Sequence, residues 1–336
     1  MKFPIRFYIM LTLLAWLGFD AAAQILPSFG DSRTGTTGMQ FLKIAPDARS
    51  AGMAGSFTAV ADDVSALYWN PAGLIHADSR TYALQFGHTQ YFADINLNYA
   101  AATFTRNNVH YFGVSLISLS TPEMKVTTEF QPEGTGETFE AANLALALTF
   151  AQRLTDNFSF GLTGKYAYEG IAGISAHSGL FDFGFRYDLN LRNTRFAATV
   201  SNFGFNVDPE GEITLQTLNG PEVVDDFDKM AVPAIFRLGV ATEAIQQEQW
   251  RIVISGQLNH PTDNNETFGI GSEFDFRQRL FARAGYEFGV DEAGIPAFGF
   301  GLKLQRRFGN IKVDYGFNNK VIIGTIHRIT LGLGLR

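Results

Sequence analysis

The chain has 336 residues and a formal net charge of −7, which excludes nucleic acid as an expected partner because no basic stripe is present to meet its phosphates. It has no cysteine, which excludes disulfides, thiolate catalysis and thiolate metal sites. The 32 phenylalanines, 34 glycines and 11 tyrosines, with only 18% charged residues, favour strands over helices.

Residues 1–23 predict a secretory signal peptide. Lys2 and Arg6 precede an apolar run at 7–19, and three alanines at 21–23 form a small-residue cleavage site. A retained membrane anchor is the alternative, but the run is shorter than the roughly 20 residues of a spanning helix. Without a cysteine for lipid attachment, the mature chain must be held at a membrane by its own fold.

Residues 24–80 lack long alternation and are rich in small residues, as in "APDARSAGMAGSFTAVADDVSALYWNPAGL". Within this part, Asp62 or Asp63 can cap a short helix that runs from Ser65 to Trp69. Pro71, which follows Asn70, is expected to end that helix.

After residue 80, side chains alternate between two faces. The stretch "FDFGFRYDL" at 181–189 places apolar side chains at every second position, with Asp182, Gly184, Arg186 and Asp188 between them. Most of the predicted strands have about ten residues or more, against a usual mean of about 5–6 in soluble sheets. Fourteen strands are predicted, at 82–89, 92–104, 108–121, 138–152, 157–169, 175–190, 194–203, 232–245, 250–259, 265–276, 279–288, 296–306, 310–318 and 326–336.

The connections between these strands also alternate. Those after even-numbered strands are short, whereas several after odd-numbered strands are long, at 122–137 and 204–231. This alternation is typical of an outer-membrane barrel, whose short turns are periplasmic and whose long loops face outside. In hydrocarbon, strands can span only as a closed sheet. We therefore predict an all-β protein, with a 14-stranded antiparallel transmembrane β-barrel over residues 81–336.

A soluble β-helix or sandwich is the alternative fold, but it would leave this many aromatic side chains without a dry environment. A barrel of about eight strands is filled by its own side chains, while about 16 to 18 strands leave an aqueous channel. Because fourteen lies between these sizes, we place residues 24–80 in the lumen as an N-terminal plug segment. The plug residues singled out are Asp62, Asp63, Trp69, Asn70 and Pro71, and a flexible periplasmic tail is the alternative.

The stretch "ADDVSALYWNPAGL" at 61–74 resembles the N-terminal segment of FadL-type outer-membrane barrels. With "FLKIAPDARSAGMAG" at 41–55, "HTQYFADINLNYAA" at 88–101, the long stretch at 116–166 and "VSNFG" at 200–204, the chain is similar to the PorV/PorQ family of the type IX secretion system of Bacteroidota. The resemblance extends over the N-terminal two thirds of the chain. It implies a 14-stranded outer-membrane barrel with a luminal N-terminal segment.

The resemblance also implies an accessory protein of type IX secretion that binds secreted cargo or secretion-machinery partners and lies in outer-membrane lipid. The alternative is a FadL-like channel for hydrophobic small molecules. A channel of that kind should have apolar outer loops to catch its ligand. The loops here are polar and acidic, which favours the first hypothesis.

No catalytic residues are evident, and neither an enzyme activity nor a cofactor is expected. Six histidines lie scattered without metal-ligand spacing, at positions 76, 88, 110, 177, 260 and 327. Near-misses to phosphate loops, "GIGSEF" and "GFGLK", fall within alternating strands, where glycine indicates a lumen-facing position without bulk. No serine lies in a nucleophile-elbow context.

Both long loops are acidic. Three interpretations remain open: a solvated rim, a docking face for a basic partner, and a site for divalent cations such as calcium. The partner-binding residues proposed for these loops are Glu129, Glu133, Glu137, Asp225, Asp226 and Asp228. The short turns carry arginines that suit anionic lipid headgroups, namely Arg106, Arg153, Arg192, Arg277 and Arg307.

Overall fold

The computed structural model describes residues 35–77, 82–106, 109–189, 191–217, 220–290, 294–307, 309–322 and 324–335. The predicted signal peptide at 1–23 lies outside the described residues. The same holds for 24–34, the first part of the predicted plug segment, and for 78–81, where the plug and barrel were predicted to meet.

Fourteen antiparallel strands form a closed barrel, in which the first strand pairs with the last from Tyr82↔Leu335 to Gln90↔His327. Each strand otherwise pairs with its neighbours along the chain. The barrel strands are β1 (Tyr82–Gln90), β2 (Asn96–Arg106), β3 (His110–Ser120), β6 (Ala141–Arg153), β7 (Phe158–Ile171), β8 (Ile174–Leu189), β9 (Thr194–Gly204), β12 (Ile235–Gln246), β13 (Trp250–Pro261), β14 (Thr267–Phe276), β15 (Leu280–Phe288), β16 (Ala297–Arg306), β17 (Gly309–Lys320) and β18 (Gly324–Leu335).

The alternation of side chains separates an apolar outer face from a polar inner face. In β8, Phe181 and Phe185 are 48% and 49% exposed, whereas Asp182 and Arg186 between them are 1% and 3% exposed. The outer face suits hydrocarbon, and every barrel strand has a partner on both sides, as a bilayer demands. The predicted fold class is confirmed.

All fourteen predicted strands are present, with ends shifted by a few residues. The second strand begins at Asn96 rather than at 92, because Ala93 and Asp94 have φ values of 52° and 56° that a strand cannot contain. Sequence analysis missed two small hairpins in the long loops, because such short strands give too little alternation to recognise. They are β4 (Met124–Lys125) with β5 (Thr138–Phe139), and β10 (Ile213–Thr217) with β11 (Gly220–Val224).

Residues 35–77, which we call the inner segment, form short helices inside the barrel. These are two 3₁₀ helices, Gln40–Lys43 and Pro71–His76, and two α-helices, Ala48–Ala51 and Ala66–Trp69. Among the described residues, no helix is long and apolar enough to cross a bilayer.

The connections define two rims. The two longest, 121–140 and 205–234, belong to the same rim, which we call the long-loop rim. Turns such as 154–157 and 247–249 belong to the other, the short-turn rim.

If the long-loop rim faces outside, protease added to intact cells should cleave within 121–140 or 205–234 and leave the short turns intact. Mass spectrometry of the fragments would locate the cuts, with lysed cells as the control for access to both rims. Cleavage of intact cells at the short turns alone would contradict this orientation.

Candidate functional site in the barrel lumen

The inner segment is bonded to strands around the barrel. Most of its side chains are buried, and they make up much of the hydrophobic core, including Met39, Met53, Phe57 and Leu67. Its main hydrogen bonds to the wall are Ala48 N–H to Thr330 Oγ1 of β18 (2.9 Å), Phe57 N–H to Gln257 Oε1 of β13 (2.9 Å), Ser159 Oγ of β7 to the Ala72 carbonyl (3.1 Å), Ser255 Oγ of β13 to the Ser56 carbonyl (2.8 Å) and Arg186 Nη1 of β8 to the Ala61 carbonyl (3.1 Å). These bonds satisfy backbone groups that water does not reach.

The predicted short helix is present as Ala66–Trp69, with Ser65 at its N-cap position. Asp63 accepts a hydrogen bond from the Ser65 N–H at 3.0 Å and another from its hydroxyl, so this carboxylate fixes the turn that leads into the helix. The helix ends before Pro71, as expected. Asn70 then caps the 3₁₀ helix that follows, because its Oδ1 accepts the Ala72 N–H at 3.0 Å.

The turn at Asn70 and Pro71 lies against the barrel wall where the wall has glycine. A Cβ atom built on Gly184 of β8 would overlap Asn70 Oδ1 and lie 2.8 Å from Pro71 Cδ. A Cβ on Gly161 of β7 would lie 2.7 Å from Pro71 Cβ. These glycines permit a close approach that any other residue would prevent.

Trp69 is 5% exposed and lies deep in the lumen. Its indole N–H donates to Asp47 Oδ2 at 2.9 Å, and its ring meets the rings of Tyr68 and Phe57 edge-on at centroid distances of 5.2 and 6.0 Å. Asp47 also accepts the Ser50 N–H at 2.8 Å and caps the helix Ala48–Ala51. This helix, which sequence analysis missed, is thereby tied to the helix that contains Trp69.

Asp62 and Asp63 converge with Glu273 of β14 on one guanidinium. Arg49 Nη1 lies 2.6 Å from Asp62 Oδ1 and 2.9 Å from Asp63 Oδ2, and its Nη2 lies 2.9 Å from Glu273 Oε1. Burial alone would raise the pKa of Asp63, but the charges of Lys312 and Arg49 hold it well below its ordinary value. Both aspartates are thus ion-paired with Arg49, and Asp63 also lies 3.3 Å from Lys312 Nζ.

The charged cluster continues along the barrel wall. Glu273 also accepts from Arg283 Nε of β15 at 2.6 Å, and Arg283 Nη1 lies 2.7 Å from Asp314 Oδ1 of β17. Sequence analysis did not identify Arg49, Glu273, Arg283 or Asp314. The available signal was the presence of charges at inward positions of alternating strands, as in "SEFDF" and "FARAG".

A cavity lies on each side of the inner segment. The one at the long-loop rim has a volume of about 650 Å³, and the one at the short-turn rim about 430 Å³. The first is bordered by strand ends such as Leu119 and Pro261, and the second by Ala83 and Asn310. Trp69 lines the first of these cavities and Arg49 lines the second.

The acidic residues proposed for the long loops are all exposed: Glu129, Glu133, Glu137, Asp225, Asp226 and Asp228. In the part of the chain that the structure describes, no group of three or more Asp, Glu or His side chains could hold a metal ion. The calcium interpretation of the loops therefore gains no support. The exposed carboxylates remain free to meet a partner.

Four of the histidines contact either one carboxylate or one tyrosine hydroxyl through a ring nitrogen. His76 Nε2 lies 2.9 Å from Asp188 Oδ2, and His260 Nδ1 lies 2.9 Å from Glu266 Oε1. On the outer face, Nδ1 of His177 and of His327 is hydrogen-bonded to the hydroxyl of a tyrosine. Each of these four histidines thus has a polar or acidic neighbour.

Comparison with known proteins identifies the family and the fold. The family model described as "Type IX secretion system protein PorV" matches residues 28–260, more than half of the chain. No curated protein matches the sequence. The matched range includes the inner segment and the strands from β1 to nearly the end of β13.

Several solved outer-membrane structures share the fold at low sequence identity. The toluene transporter TbuX of Ralstonia pickettii has a TM-score of 0.61 at 14% identity, covering 86% of this chain and 97% of its own. The toluene transporter TodX of Pseudomonas putida has a TM-score of 0.55 at 14% identity (84% and 96%), and a FadL homologue of Pseudomonas aeruginosa has 0.55 at 11% identity (87% and 98%). At these identities the likeness shows a FadL-like fold and nothing about the ligand.

Proposed function

We propose that this chain, which belongs to the PorV family of type IX secretion system proteins, acts in secretion by binding protein partners rather than by conducting cargo through its lumen. It is an outer-membrane β-barrel with a FadL-like fold. The partners proposed are secretion-machinery subunits or secreted cargo. The known proteins that it resembles are named for secretion and transport, and no enzyme activity is proposed.

The packing of the inner segment against the inward faces of the strands is the observation that supports this proposal. The inner segment is hydrogen-bonded to strands around the barrel, so a polypeptide could pass only if all of these contacts broke. We propose that this segment is the plug, with Asp62, Asp63, Trp69, Asn70 and Pro71 as residues that hold it. Binding to other proteins would then fall to the long loops.

The acidic loops provide a negatively charged surface for such binding. The two longest connections contain twelve exposed carboxylates, the six proposed ones among them, against two lysines, and a cluster of this kind steers and orients a basic partner. Because exposed charges are screened by salt, a partner bound in this way should be released more readily as ionic strength rises.

A FadL-like channel for hydrophobic small molecules is the second candidate. The cavity of about 650 Å³ at the long-loop rim has a volume typical of ligand sites and has aromatic lining residues, Phe41, Tyr91 and Tyr286 among them. The inner segment, however, separates this cavity from the one at the short-turn rim. Conduction would therefore require the segment to move.

Co-purification in mild detergent tests the proposal. The six loop carboxylates would be replaced together (Glu129→Gln, Glu133→Gln, Glu137→Gln, Asp225→Asn, Asp226→Asn and Asp228→Asn), and we expect recovery of secretion subunits or cargo to fall by about tenfold or more. Each substitution removes the attraction of one carboxylate for a basic partner. It does not disturb the barrel, because these side chains are exposed.

The matched control removes exposed acids from the short-turn rim, with Asp156→Asn and Glu248→Gln. It should leave recovery unchanged. Unchanged recovery with the six-residue variant would contradict binding through the acidic loops. Recovery of bound hydrocarbon or lipid with no protein partner would favour the channel.

A further inference from the structure

Two buried arginines at the long-loop cavity have no carboxylate partner. Six arginines are buried in the described residues: Arg49, Arg186, Arg195, Arg237, Arg283 and Arg328. Four of them lie within 4 Å of a carboxylate, whereas among the described residues no Asp or Glu oxygen lies that close to Arg237 or Arg328. Burying an uncompensated charge is costly, so both guanidiniums need an anion.

Arg237 of β12 is held by neutral groups. It is 4% exposed, its Nη1 donates to Ser201 Oγ at 2.9 Å, and its guanidinium carbon lies 5.4 Å from the ring centroid of Trp69. These contacts orient the planar group and supply no carboxylate among its direct neighbours. Its Nε and Nη2 make no hydrogen bond to the described residues.

Arg328 of β18 is held in the same manner. It is also 4% exposed, its Nε donates to the Ala45 carbonyl at 2.9 Å, and its Nη1 donates to Asn318 Oδ1 at 2.7 Å. Arg237 and Arg328 therefore reach the same cavity from different parts of the wall, each positioned by neutral acceptors.

The other charges at this cavity nearly cancel. Lys43 is paired with Asp263 at 2.9 Å, and Lys320 lies 3.8 Å from Glu287. Glu169 accepts the Met39 N–H at 2.5 Å. Among the described residues, four cations thus face three carboxylates, with Asp263 counted as the partner of Lys43, and this excess of one positive charge suits a monoanionic group.

We propose that Arg237 and Arg328 bind the carboxylate of an organic ligand in this cavity. An arginine offers two parallel N–H donors that match a carboxylate, and hydrogen bonds to a charged acceptor are about twice as strong as neutral ones. The aromatic rings of Phe41 and Tyr286 and the amide of Asn259 supply apolar and polar contacts for the rest of the ligand. This site is independent of partner binding by the loops.

Calorimetric titration of the full chain in uncharged detergent tests the site with two matched pairs of probes. Hippurate and hippuramide are peptide-like and differ in the carboxylate, and decanoate and decanamide are the corresponding lipid-like pair. We expect at least one acid to bind about tenfold or more tightly than its amide. Because Trp69 lies beside Arg237, the same titration should change tryptophan fluorescence.

The variants Arg237→Gln and Arg328→Gln should each weaken binding of the acid about tenfold or more, and Lys229→Gln is the control. This control removes the same charge from an exposed loop, where the Lys229 side chain is 68% exposed. It should bind the acid as tightly as the unchanged chain does. Heat-dependent gel mobility would confirm that each variant is a folded barrel.

Binding of hippurate but not of decanoate would assign the site to peptide-like carboxylates. Binding of decanoate but not of hippurate would assign it to lipid-derived carboxylates. Either result supports the proposal. Equal affinity for acids and amides, no binding of either acid, or acid binding that survives both arginine substitutions would overturn it.

Discussion

Replacing Arg49 with glutamine should loosen the inner segment by about 3–5 kcal/mol while leaving the fourteen-stranded barrel closed. Arg49 bonds Glu273 through both Nε and Nη2, each at 2.9 Å, and it also contacts Asp62 and Asp63. The Glu273 side chain is 1% exposed, so without the Arg49 guanidinium its one remaining cation within 4 Å, among the described residues, is Arg283. The segment can relieve this by moving away and admitting water.

Hydrogen exchange measures this loosening directly. Amides of the inner segment should lose about two to four orders of magnitude of protection, whereas amides of the barrel strands should not change. The control is Lys229→Gln, which removes an ion pair whose partners are 68% and 58% exposed and should cost at most about 1 kcal/mol. Equal protection in Arg49→Gln and the unchanged chain would show that the charged cluster does not hold the segment.

The barrel was predictable from sequence because each strand repeats one simple rule. In β8 the residues from Phe181 to Leu189 alternate without interruption, and the bilayer requires that alternation to be an outside and an inside. Long strands repeat the rule often enough to recognise. The loop strand β4, with two residues, does not.

The inner segment was harder to predict because its contacts are long-range and have no period. Asp62 and Asp63 stood out as helix caps, and Asp63 does fix the turn before Ala66, yet both also bind Arg49, an ion pair that spacing in the sequence does not reveal. Arg237 was equally hidden, because a charge at an inward position has no visible partner until the strands are placed.

The lumen-facing glycines were easier to predict from the sequence. Glycine in "GFGLK" was interpreted as a lumen-facing position without bulk, and Gly299 there indeed meets the segment, since a Cβ built on it would lie 3.1 Å from Gly52 Cα. Alternation predicted that these glycines face the lumen and leave space there. It did not predict which residue of the inner segment occupies that space.

Removal of the inner segment should convert a nearly silent barrel into one that passes ions. A mature chain that starts near Arg80 keeps all fourteen strands and their pairings, and the apolar side chains that face lipid are unchanged. Its inward side chains, including Glu273 and Arg283, are polar and would be wetted by the water that replaces the segment. We expect step-like conductance in planar bilayers for this variant and little for the intact chain.

A single substitution separates displacement of the segment from damage caused by deletion. Gly184→Val places side-chain atoms where Asn70 and Pro71 lie, so it should raise conductance towards that of the deletion variant and expose Trp69 to acrylamide. Gly179→Val is the matched control: it lies in the same strand, on the exposed face, and a Cβ there has no atom within 4 Å. Conductance that is the same in the intact, deleted and Gly184→Val chains would show that residues 35–77 do not close the lumen, however many contacts they make with its wall.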